Sequence, residues 1–74
     1  MKPYHFPIIV EHDSSGYFVS CPALQGCYSH GDTYEEALRN INDAIHLHIA
    51  DILAEGGSVP AVGTFSLTTM EIAA

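Results

Sequence analysis

The stretch from Thr33 to Gly57 constrains this chain more than any other. Ala37, Leu38, Ile41, Ala44, Ile45, Ile49, Ile52 and Leu53 recur at three- and four-residue steps, which places them on one stripe of an α-helix. Arg39, Asn40, Asn42, Asp43, His46 and Asp51 fall mostly on the other side. Thr33 with Glu36 three residues later forms a capping box, in which the threonine oxygen accepts from the Glu36 amide and the glutamate reaches back to the cap amide. Asp32, Glu35 and Glu36 put negative charge at the positive end of the helix dipole. Gly56 and Gly57 stop the pattern, and Gly56 suits a left-handed cap. A helix over Thr33–Glu55 is about 34 Å long at 1.5 Å per residue. In a chain of 74 residues, its stripe has to be buried against whatever the remaining residues build.

Those residues read as short strands. YHFPIIVEHD gives a strand over Phe6–His12, with Pro7 placing its start at an edge or outside the ladder. DSSG at residues 13–16 is a tight turn, and YFVSC follows as a second strand, so the two make a hairpin. PALQG is a bend, because Pro22 donates nothing to a ladder and Gly26 marks a turn. CYSHG is a third short strand ending at Gly31. Beyond GGSVPAVG, the β-branched content of TFSLTTMEIAA, residues 64–74, favours a fourth strand. Its apolar residues do not keep one parity, which suits a strand covered on both sides. The expected class is α+β in the order β-β-β-α-β, a three-stranded antiparallel meander packed on one long helix, plus a C-terminal strand.

A chain this short forms one domain, here residues 1–74, and buries only about 60–65% of its unfolded surface. The half-covered sheet and the terminal strand leave apolar area exposed, so a homodimer or homotetramer is expected, with Phe65, Leu67, Met70 and Ile72 at the contact. Hydrophobic residues make up 47% of the chain, too many for a disordered one. No apolar run reaches the roughly 20 residues of a membrane helix, and MKPYHFPIIV lacks the pattern of a signal peptide. A cytoplasmic protein with no membrane association is expected. Lys2 and Arg39 stand against nine acidic residues, for a net charge of −7. Direct nucleic-acid binding by this chain is disfavoured, because phosphate neutralisation needs clustered bases. An anionic surface attracts basic proteins.

The ordered run GYFVSCPALQGCYSHGDTYEEALRNINDAIHLHI resembles the HicB-like antitoxin family. The residues that carry the resemblance are Pro22, Leu24, Gly26 and Cys27 in the bend, Gly31, Asp32 and Thr33 at the helix start, and Glu35, Glu36 and Ala37 behind it. It covers roughly residues 6–55. Ala23 stands where an aspartate is common and Gln25 where a second proline is common; both changes fall on a surface a partner would meet. The resemblance implies a partial ribonuclease-H-like fold and a role in neutralising a small basic RNA-cleaving toxin of the HicA type. Many relatives carry a C-terminal DNA-binding module. With Ala74 soon after the fourth strand, no room for it is expected here, and operator binding is not expected.

Cys21 and Cys27 leave three readings open: free buried thiols, a disulfide, or metal ligands. Their spacing is not a common zinc spacing, and a cytosolic disulfide is disfavoured, so free thiols are preferred. His46 and His48 are two apart on a helix and point about 200° apart, so they do not share an ion. Asp32, Glu35 and Glu36 invite a metal-nuclease reading, but the cap and the dipole already account for them. No catalytic residue, metal or cofactor is expected. Tyr28, Asp32, Tyr34 and Glu35 are the candidate partner-binding residues, Tyr28 and Tyr34 by position alone, while one of Tyr17 and Phe18 should face the core. Three function classes follow: an antitoxin-like binding module, a stand-alone homo-oligomeric regulatory or ligand-binding domain, and a metal protein or enzyme.

Overall fold

The computed structural model describes residues 4–61 and 63–74; Lys2, one of the two bases, lies outside them. Its elements are β1 (Ile9–Asp13), β2 (Gly16–Ser20), β3 (Tyr28–Gly31) and α1 (Tyr34–Ala54). The strands form one antiparallel sheet in the order β1-β2-β3. The fold is therefore α+β, a three-stranded meander followed by one long helix. β1 starts at Ile9, later than Phe6, because its ladder begins where Ile9 meets Ser20, the last residue of β2.

The hairpin turn sets which side chains face the helix. Asp13 pairs with Gly16, leaving a two-residue loop in which the Ser15 amide donates to Asp13 Oδ1 at 2.7 Å. Counting from that turn, Tyr17 and Val19 point to the helix side and Phe18 and Ser20 away from it. Val19 is buried and Phe18 is exposed.

The bend between β2 and β3 supplies half of the core. Cys21 donates its amide to the Cys27 carbonyl at 2.9 Å, Leu24 donates to Cys21 and Cys27 donates to Leu24, both at 3.1 Å. This network satisfies the backbone of a non-strand segment and turns Cys21, Leu24 and Cys27 inward. They join Val19, Ala37 and Ile41 in a single buried cluster.

The helix is held at both ends. The Glu36 amide donates to Thr33 Oγ1 at 3.1 Å, as the capping box requires. The return bond differs from expectation: Glu36 Oε2 accepts from the Asp32 amide at 3.3 Å, one residue before the cap. At the other end Gly56 takes φ +79°, its amide donates to the Leu53 carbonyl and that of Gly57 to the Ile52 carbonyl. This is the Schellman arrangement, and the left-handed residue it needs is a glycine. Asn40 Nδ2 donates to the His30 carbonyl at 2.8 Å, pinning the helix to the end of β3.

The expected C-terminal strand is not part of the sheet. Residues 64–74 have no regular secondary structure and are exposed throughout. Phe65 and Leu67 share one parity and Met70 and Ile72 the other, so no single register buries all four on one face of this sheet. The arm stands off the body. The radius of gyration is 14.4 Å, against about 11 Å for a compact domain of this length.

Candidate partner-binding surfaces

Three surfaces follow from this packing. The first is the sheet face opposite the helix. The register places Glu11, Phe18 and His30 side by side across the three strands, with Ile9, Ser20 and Tyr28 in the next row. Phe18 and His30 have ring centroids 6.4 Å apart, and Tyr28 is 74% exposed. In these two rows the aromatic and apolar side chains Phe18, Tyr28 and Ile9 are exposed beside the Glu11 carboxylate, and no described residue covers them.

The second surface is the start of α1. Asp32, Tyr34 and Glu35 are all exposed there. Tyr34 meets Tyr17 edge-on at 6.1 Å, and Tyr17 stacks on His12 at 4.0 Å. The hairpin tip with Asp13 lies at the same end, because Tyr17, next to Gly16, pairs with Gly31. The structure thus brings three of the four sequence-predicted contact residues together and adds Asp13 to them. Tyr28 is apart, at the opposite end of β3 and on the other side of the sheet.

The third surface is a groove that sequence reasoning missed. The helix packs across β3 and β2 and makes no close approach to β1. On that open flank Tyr4, Phe6 and Ile8 continue the helix-side parity of β1, with Tyr4 and Phe6 stacked at 6.1 Å. Between them and Leu38, Ile41, Ile45, His46, Ile49 and Leu53 runs a mainly apolar groove of about 660 Å³. The alternation Tyr4, Phe6, Ile8, Val10 was the available signal, and Pro7, interleaved with it, obscured it.

Cys21 and Cys27 are buried free thiols. Burial, with a contribution from Cys21, pushes the Cys27 thiol above its ordinary range, so it stays protonated and weakly nucleophilic. Among the described residues no group of three or more His, Cys, Asp or Glu side chains is gathered as a metal ion would need. Nor is any helix among them long and apolar enough to cross a membrane.

The body thus carries an aromatic sheet face, an acidic helix start and an apolar groove along the helix. The chain belongs to the HicB-like antitoxins of bacterial toxin-antitoxin systems, whose family pattern matches residues 6–71. It is 45% identical over 58 residues to a UPF0150 protein of Synechocystis, covering 77% of this chain and 73% of that one. A UPF0150 protein of Helicobacter pylori is 51% identical over 47 residues, 64% of this chain and 65% of that protein. An uncharacterised 14.9 kDa protein from the rep-hol intergenic region of Haemophilus phage HP1 is 42% identical over 55 residues, 74% of this chain but only 41% of its own length. The chain thus spans less than two thirds of two of these three relatives. No solved structure matches it.

Proposed function

We propose that this chain is the antitoxin of a pair, a non-enzymatic cytoplasmic domain that binds and neutralises a small basic RNA-cleaving toxin of the HicA type. The observation that carries this reading is the acidic end of the molecule. Asp32 and Glu35 stand exposed beside Tyr34 at the start of α1, and Asp13 stands exposed at the hairpin tip at the same end of the molecule, on a chain of net charge −7. A surface that binds RNA is cationic; an anionic patch with an aromatic at its centre competes with RNA for it. Charge complementarity of this kind raises the association rate and selects the partner. In this reading the chain itself touches no nucleic acid. It works as a homodimer or homotetramer.

The test is co-expression with a short basic protein encoded beside it. The two should co-purify, and the complex should weaken steeply with salt. Charge reversal at Asp32→Lys with Glu35→Lys leaves the cap bonds of Thr33 and Glu36 in place and should weaken the complex at least tenfold. A neighbouring basic protein that is well folded yet does not bind would end this reading. The exposed arm favours a second one, a self-associating regulatory or ligand-binding domain with no toxin; a stable homo-oligomer with no basic protein encoded nearby would support it.

A further inference from the structure

The arm and the groove are two unsatisfied apolar features of one chain. Phe65, Leu67, Met70 and Ile72 are all exposed, Leu67 to 89%. No described residue fills the groove between Phe6, Ile8 and the helix residues Ile45, Ile49 and Leu53. Their dimensions agree. From Leu38 to Leu53 the groove follows α1 for about 22 Å at 1.5 Å per residue. From Phe65 to Ile72 an extended chain spans about 23 Å.

Charge separates the possible occupants. Among the described residues, the groove lining holds no Asp, Glu, Lys or Arg. It offers a cationic protein nothing to pair with and suits a nearly uncharged segment. Residues 64–74 carry one charged side chain, Glu71. Within a single chain the arm leaves its own groove empty and projects from the body, as the radius of gyration records.

We infer that the arm of one copy, residues 64–74, seats in the groove of a second copy, and that the exchange is reciprocal. One arm and its seat bury roughly 800 Å² if each apolar side chain removes on the order of 100 Å² from each partner. Two seats reach the roughly 1,600 Å² of a standard stable interface. The two-fold exchange closes the assembly as a dimer. The parity change that keeps the arm off its own sheet is then accounted for. Phe65 and Leu67 face one wall, Met70 and Ile72 the other, in a seat with apolar side chains from both the N-terminal segment and the helix. The inference is independent of the toxin reading, since its test uses this chain alone.

The experiment is sedimentation equilibrium on the full chain at tens of micromolar, with two variants. Leu67→Asp with Ile72→Asp disables the arm, and His46→Glu with Leu53→Asp disables the groove. All four side chains are exposed in the single chain, and circular dichroism should show the helix intact in both. The wild-type chain should sediment at twice the 8.0 kDa chain mass, and each variant alone at the chain mass. An equimolar mixture of the two should recover a dimer, because one good arm then meets one good groove. A monomeric wild-type chain, an unchanged dimer in either variant, or a mixture that stays monomeric would each overturn the exchange.

Discussion

Gly31 and Ala37 bring β3 and the helix into close approach: a methyl group added to Gly31 would stand 2.5 Å from the Ala37 nitrogen and 2.9 Å from its Cα. No flexible side chain is there to yield, since both atoms belong to the helix backbone. Gly31→Ala should therefore destabilise the fold by about 1–3 kcal/mol, the usual range for overpacking. At this size that is a drop in Tm of roughly 4–8 °C per kcal/mol. Thermal unfolding followed at the helix signal checks it; a Tm within a degree of wild type would show that the helix lies farther off than described.

Thr33 satisfies a helix amide through its side chain. Thr33→Ala should cost about 1 kcal/mol, and Thr33→Ser should recover most of it, because serine supplies the same oxygen. Urea titration of the three chains gives the ordering, and equal midpoints for alanine and serine would remove the cap from the account.

Ile41 and Leu47 lie on the same helix with opposite surroundings, 2% and 67% exposed. Ile41→Ala should cost about 2–5 kcal/mol through lost burial and the cavity left beneath the sheet. Leu47→Ala should fall within about 0.5 kcal/mol of wild type. Equilibrium unfolding of the pair tests where the core is, independently of any partner.

The Cys27 thiol is raised in the folded chain, which fixes the sign of a pH effect. Below the ordinary thiol pKa of about 8.5 the group is protonated in both states and contributes no pH dependence. As pH rises past that value the unfolded chain loses its proton first, and stability falls until the folded thiol also ionises. Unfolding free energy should decline as pH rises above about 8.5, and the decline should be shallower in Cys27→Ala. A parallel slope in the two chains would assign the alkaline loss to other groups.

The helix was legible because cap, stripe and stop agree on the same boundaries, and its ends differ from expectation by a single residue. The partner of Glu36 was not, since the Asp32 and Thr33 amides lie within reach of one carboxylate and only geometry chooses. Which of Tyr17 and Phe18 faces inward was also closed to pattern, both being aromatic; the two-residue loop after Asp13 decides it by fixing the register. The acidic end could be read from Asp32 and Glu35, but Asp13 joins it through strand pairing across the sheet. The groove exists because α1 lies over β3 and β2. That placement follows from the Gly31–Ala37 approach and the Asn40–His30 bond, neither of which leaves a periodic trace. The fourth strand is expected from β-branched content and from the family resemblance, and neither supplies a partner ladder within one chain.

The seven residues from Cys21 to Cys27 divide their labour cleanly. Cys21, Leu24 and Cys27 hold the interior, while Pro22 and Gln25 look outward and take no part in the backbone bonds that shape the loop. Interior and exterior can therefore change separately. A lineage that rewrites Gln25, or replaces Pro22 with another residue that tolerates its backbone angle, redraws the protein's outline while its folding instructions stay as they were.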